Sequence, residues 1–186
     1  MPILDYHYVG DNKRFDFTLH SCGIGEFKRQ LDFLKNNYQI VSLAEYADLK
    51  RQNADVSKYV SLVFDDGSVT HYDNVFSELG KRKIPASFFP IASVFEGKAP
   101  APIKMHAVFS KIKSGKIAED LEKFLHIEIP SSQRLNDKKR LNDDTLTANI
   151  KQILSELPIA EKEKFVSSQF IKIIDDEKQF CGKFFL

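Results

Sequence analysis

Cysteine is nearly absent from this chain: Cys22 and Cys181 are the only two, far apart and in no Cys-x-x-Cys pair. That argues against a disulfide framework and a cysteine-rich structural zinc site. No charge of one sign dominates either. With 27 Lys and Arg against 26 Asp and Glu, the formal net charge is +1. Composition therefore offers no electrostatic footprint for nucleic acid or an anionic membrane. No apolar run approaches the roughly 20 residues that span a bilayer. The opening Met1-Pro2-Ile3-Leu4-Asp5-Tyr6-His7 has no basic stretch before an apolar core and no small-residue cleavage site, so a signal peptide is not expected. There is no Gly-x-x-x-x-Gly-Lys-Ser/Thr loop, which counts against a nucleotide-dependent protein. A cytoplasmic, reduced protein is the expectation.

What is present is an alternation of strand and helix signals. At 186 residues, 42% hydrophobic and 28% charged, the chain is long enough for a real core. Ile3 to Val9 reads as a first strand, broken by Gly10-Asp11-Asn12. Phe27, Leu31 and Leu34 recur at helical spacing after Gly25, and Asn36-Asn37 ends that helix. Tyr38 to Ser42 is a short strand, Leu43 to Leu49 a short helix, and Tyr59 to Phe64 an apolar buried strand. Tyr72, Val75, Phe76 and Leu79 predict one face of a helix stopping near Gly80, and Pro85 opens a strand running to Ile91. This order is that of an α/β protein with crossover helices.

Past Gly97 the character changes. Lys98-Ala99-Pro100-Ala101-Pro102 reads as a connector, followed by helices near Ile103–Lys113, Ile117–Leu125, Thr145–Leu157 and Ala160–Ile174. Ser131–Asp144 is a polar loop, and Ile127-Glu128-Ile129 the only weak strand signal beyond residue 92. The expected division is residues 1–97 and residues 98–186. The tail phenylalanines, Phe165, Phe170, Phe180, Phe184 and Phe185, read as core or interface.

The chemistry concentrates at Phe64-Asp65-Asp66-Gly67. Two carboxylates at the carboxyl end of a buried strand sit where α/β proteins place their sites. Neighbouring strand residues face opposite ways, so Asp65 and Asp66 are expected to do different work. An apolar strand ending in Asp-Asp also occurs in nucleotide-binding and phospho-acceptor proteins, hence the weight of the missing phosphate loop.

Ser61-Leu62-Val63-Phe64-Asp65-Asp66-Gly67, a helix, and then Lys83-Ile84-Pro85-Ala86-Ser87-Phe88-Phe89-Pro90 resemble the polysaccharide deacetylases of the NodB-homology type, carbohydrate esterase family four. Tyr6-His7-Tyr8-Val9 resembles the family's opening Tyr-His-x-Val strand, and Phe27 to Lys35 followed by Ile40 to Leu43 its first helix and second strand. The resemblance covers residues 1 to about 92. It implies a partial (β/α) barrel with a helical C-terminal insertion, a divalent metal such as zinc, and hydrolysis of N-acetyl groups on a sugar or glycan. It further implies Asp65 as general base and Asp66 as metal ligand, with Gly67 allowing the sharp turn beneath the site. His71 is the candidate second ligand, should its loop fold back, and His7 is expected to line the site. The family's Ser/Thr-His-x-x-x-His pair has no counterpart among His7, His20, His71, His106 and His126. The expectation is therefore a truncated deacetylase-like chain with an incomplete metal site and weak or no activity. The alternative is a non-catalytic half-barrel that binds a partner through its helical C-terminal part, a second chain completing the barrel. Nucleic acid and membrane are not expected partners.

Overall fold

The computed structural model describes residues 3–10 and 21–185. Asp11, Asn12 and His20 lie outside the described residues. The described chain forms two compact units, one of residues 3–10, 21–98 and 178–185, the other of residues 99–177.

The first unit is built on a parallel sheet. Strands β1 (Ile3–Tyr6), β2 (Gln39–Ile40) and β4 (Ser87–Pro90) all pair in parallel with β3 (Tyr59–Asp66). The register places Asp5 beside Val63 and Tyr6 beside Phe64. On the other edge, Phe64 lies beside Phe88 and Asp66 beside Pro90. Helices α1 (Ile24–Asn37), α2 (Leu43–Arg51) and α3 (Ser77–Arg82) connect the strands. This mixed α/β architecture is the one that the strand and helix order predicts.

Strand alternation divides the sheet into two unlike faces. On one, Leu4, Tyr6, Leu62 and Phe64 meet Phe27, Leu31 and Leu34 of α1 together with Val75 and Leu79. Phe64 stacks on Tyr6 at 5.4 Å and on Phe88 at 5.0 Å between ring centroids. The other face carries Ile3, Asp5, Val63, Asp65 and Phe89. Its rim is open, with Ile3 and Phe89 45% and 49% exposed. Helix α2 starts on a capping box, in which Ser42 Oγ accepts from the Glu45 amide and the Glu45 carboxylate accepts from the Ser42 amide.

The helix expected from Tyr72 differs in phase. It opens as a π-helical turn, His71–Phe76, that runs into α3. His71, Val75, Glu78 and Leu79 are buried, while Tyr72 and Phe76 are 67% and 65% exposed. Positions 71, 75, 78 and 79 make a helical stripe as regular as the predicted one, and polar contacts of His71 and Glu78 select it. The helix also passes Gly80 and ends on Lys83, which takes the left-handed conformation at φ 54°.

The second unit holds α4 (Ala101–Lys111), α5 (Ser114–Leu125), α6 (Thr145–Glu156) and α7 (Ile159–Phe170). Ile127–Ile129 forms no strand, and α7 stops at Phe170 rather than Ile174. Helix α8 (Glu177–Phe184) lies beyond the helices that the sequence predicts. From residue 178 it belongs to the first unit, where Phe184 packs against Tyr8 at 5.7 Å.

Candidate metal centre

Strand β3 delivers both carboxylates at its carboxyl end. Asp65 shares its face with Asp5, since β1 and β3 run parallel and Asp5 is level with Val63. His7 lies two residues beyond Asp5, on that same face. The result is a convergence of Asp5, His7 and Asp65, each with one ligand atom, all within 4.8 Å of one another. Asp5 Oδ2 lies 3.6 Å from His7 Nδ1. All three groups keep access to solvent, with Asp65 the most enclosed.

Burial raises the Asp65 pKa from its ordinary value, and the negative charge of Asp5 adds to it, His7 opposing. Asp66 adds a further, smaller upward push. Carboxylates crowded in this way repel one another, and a bound cation relieves that repulsion.

Asp66 is placed differently. It ends the strand in the left-handed region at φ 72°, followed by Gly67 at φ 69°. Its Oδ2 accepts a 2.8 Å hydrogen bond from the Tyr8 hydroxyl. Burial, and then the Asp66 charge, push the Tyr8 pKa far up, so the phenol keeps its proton and remains a donor. Gly67 sits hard against Pro90, where an added Cβ would lie 2.7 Å from the proline Cβ.

His71 is 1% exposed and lies among the core rings, 5.4 Å from Phe64. Its Nε2 donates to the His7 carbonyl oxygen at 2.7 Å. It is not one of the three converging groups. Burial lowers its pKa and favours the neutral ring. The converging groups are thus Asp5, His7 and Asp65, and Asp66 and His71 lie outside that set. Asp65 and His7 are expected site residues, and Asp5 is the one that sequence reasoning missed: it stands two before His7 in a predicted strand, a spacing that could have suggested it. Tyr8 and Asn74 left no such signal, because their partners are distant in sequence.

Asp65 and Asp66 open onto a shallow cavity of about 450 Å³ lined also by Ile3, Leu43, Val63, Phe89 and Ile91. A larger groove of about 630 Å³ lies between β1 and α1, lined by Leu4, Tyr6, Gln30 and Phe33 among others. Leu4 and Tyr6 point away from the Asp5 face, and the converging donors do not line that groove. The smaller cavity is the one with chemistry beside it.

Residues 52–113 match the family model described as polysaccharide deacetylase. This segment is similar to the polysaccharide deacetylases. The matched stretch contains β3, the Asp65-Asp66-Gly67 turn, His71 and β4. Among solved structures, IcaB from Ammonifex degensii is 34% identical over 49% of this chain and 38% of its own length, with a TM-score of 0.43. The chain thus spans well under half of that relative. The de-N-acetylase from Aggregatibacter actinomycetemcomitans is 18% identical over 97% of this chain and 83% of its own, TM-score 0.43. The deacetylase PplD from Streptococcus pyogenes, solved with acetate, is 19% identical over 81% of each chain, TM-score 0.39. No curated protein matches the chain. Among the described residues, no helix is long and apolar enough to cross a membrane.

Proposed function

We propose that this deacetylase segment performs metal-dependent removal of N-acetyl groups from a sugar or glycan, working from the face of β3 that bears Asp65. The observation that carries the reading is the convergence of Asp5, His7 and Asp65 at the strand end that the family match covers. Two carboxylates and an imidazole are a donor set suited to zinc and similar divalent cations. The residues present therefore fit the metal that the family implies, with Asp5, His7 and Asp65 as its holders.

When bound, the cation would supply Lewis acidity toward water and toward the amide carbonyl. The chain's own groups do the rest. The Asp66 carboxylate lies on the adjoining residue, oriented by the Tyr8 hydroxyl, and is the acceptor available for a water proton. This exchanges the roles that the resemblance implies for Asp65 and Asp66. Ile3, Val63 and Phe89 border the same cavity and offer an acyl methyl an apolar surface. Gly67 keeps the turn tight enough for both carboxylates to reach the cavity. Hydrolysis breaks the amide C–N bond, giving acetate and a free amine on the sugar.

Zn²⁺ titration by calorimetry tests the centre. Wild-type protein is expected to bind one equivalent, and Asp65→Asn to lose at least a tenfold share of the affinity, roughly 1.4 kcal/mol. Acetate release from an N-acetylated glycan oligomer tests the reaction, with weak release expected from this chain and none from the Asp65 variant. Zinc binding that ignores Asp65, or no binding at all, sinks the proposal.

A further inference from the structure

We propose that Phe184 is a positioning residue for the strand-end site, clamping the Tyr8 ring so that the Tyr8 hydroxyl holds the Asp66 carboxylate in one orientation. The inference rests on the reading of the Asp65-Asp66 strand end as the place of reaction, and it stands whichever of the two carboxylates takes the proton.

Asp66 has a conformation that needs holding. Its φ of 72° lies in the left-handed region, which L-residues keep only where their surroundings fix it. The Tyr8 hydroxyl supplies that fixing, donating to Asp66 Oδ2 at 2.8 Å. One oxygen is thereby engaged, and Oδ1 is the one available to a ligand in the cavity that Asp66 lines beside Asp65. A bond to one oxygen orients a carboxylate only if the donor is itself fixed.

Tyr8 is fixed in backbone and in ring. Beyond Tyr6 the chain leaves the β-ladder and bends at His7. The Cys22 amide donates to the Tyr8 carbonyl at 2.9 Å, and Asn74 Nδ2 donates to the Val9 carbonyl at 2.7 Å. The ring is held by the tail of the chain. Phe184 meets it edge-on at 5.7 Å, and Phe184 itself packs on Phe180 at 6.0 Å and on Phe185 at 4.6 Å. All four rings are buried. Phe185 in turn faces Ser68, one residue past Gly67, across an antiparallel bridge. Two consecutive tail residues thus grip the Asp66-Gly67 turn at either end, Phe184 through Tyr8 and Phe185 through Ser68. Packing alone asks only for apolar bulk at position 184. A ring set against a phenol whose hydroxyl ends on a site carboxylate also sets an angle.

Two measurements test this. Three-bond NMR couplings from Asp66 Cγ to its backbone nitrogen and carbonyl carbon read the χ1 angle. Wild type is expected to show one rotamer, and Tyr8→Phe and Phe184→Leu an average over several. Phe180→Leu, which removes another ring of the same helix, is expected to melt earlier and keep the single rotamer. Acetate release from an N-acetylglucosamine oligomer is then followed on the same proteins. Tyr8→Phe and Phe184→Leu are each expected to lower kcat about 10- to 100-fold, the cost of a misplacement of about 1 Å, with KM within about twofold of wild type. The double variant should be no slower than Tyr8→Phe alone, because both changes break one chain of contacts. Phe184→Met repeats the test should the Leu variant not fold. A single Asp66 rotamer in Tyr8→Phe or Phe184→Leu overturns the inference, and so does a Phe180→Leu variant that frees Asp66 as much. A double variant in which the two losses multiply also overturns it. A wild type that holds one Asp66 rotamer but releases no acetate instead removes the reaction, and the positioning role with it.

Discussion

At the residue scale, the turn at Asp66-Gly67 holds two consecutive left-handed residues at φ 72° and 69°. An L-residue is tolerated at the first because the Tyr8 hydroxyl holds its carboxylate; the second has no room for a side chain. A Cβ on Gly67 would lie 2.7 Å from Pro90 Cβ and 3.0 Å from Pro90 Cα, atoms of a rigid ring and backbone that cannot swing aside. Gly67→Ala therefore combines backbone strain with a clash, and is expected to cost about 1–3 kcal/mol. Urea unfolding should register this as a lower midpoint at unchanged slope, and an unchanged midpoint would contradict the account. Tyr8→Phe offers the complementary measurement at the first position. It removes one donor to a carboxylate, worth about 1.5–3 kcal/mol, while keeping the ring packed on Phe184.

At the element scale, α3 is tied to α1 by a charge cluster around Glu78. Its carboxylate meets Lys81 at 3.1 Å, Lys28 at 3.5 Å and Arg82, and Arg82 in turn reaches Asp32 of α1 at 3.2 Å. Hydrogen bonds from Lys81 and then Arg82 depress the Glu78 pKa to about 2. The sign follows from linkage. The unfolded chain takes up this proton near the ordinary glutamate value and the folded chain only near 2, so the cluster's contribution is full above about pH 5 and is lost between there and about pH 2. Glu78→Gln is expected to cost about 1 kcal/mol at pH 7 and progressively less as pH falls toward 2. A melting-temperature difference that stays constant across that range would refute the assignment. The same element marks the limit of what the sequence discloses. Strands β1, β3 and β4 and helix α1 are legible because apolar periodicity and turn residues agree. The phase of the helix after Gly67 is not, since positions 72, 75, 76 and 79 and positions 71, 75, 78 and 79 are both regular stripes. The choice between them is made by the bond from His71 to a carbonyl 64 residues away and by Glu78. Asp65 and Asp66 are legible as a motif, whereas the meeting of Asp5 with Asp65 needs the parallel register of two distant strands.

At the scale of the whole molecule, the chain passes between the two compact units at residues 98–99 and again at 177–178. Both crossings of the helical unit are gathered by one side chain. Glu177 Oε1 accepts the Ala99 amide at 2.8 Å and lies 2.8 Å from Lys104 Nζ. Lys104 is only 5% exposed, with Ser167 Oγ at 3.1 Å and the Phe170 ring at 5.7 Å as its other neighbours. Removing the carboxylate leaves that ammonium buried without a counter-charge, which is the expensive way to break a pair. Glu177 itself is 30% exposed, so some of the loss is recovered by solvent, and Glu177→Ala is expected to destabilise the helical unit by about 1–3 kcal/mol. Native-state hydrogen exchange reads where that loss falls. Amides of α4 and α7 should lose protection roughly 5- to 150-fold, the same free energy expressed as a ratio. Amides of β1 and β3 should keep theirs. An equal loss in β3 would mean that the two units open as one cooperative body, and the carboxylate would then be a fastener of the whole fold instead of one of its units.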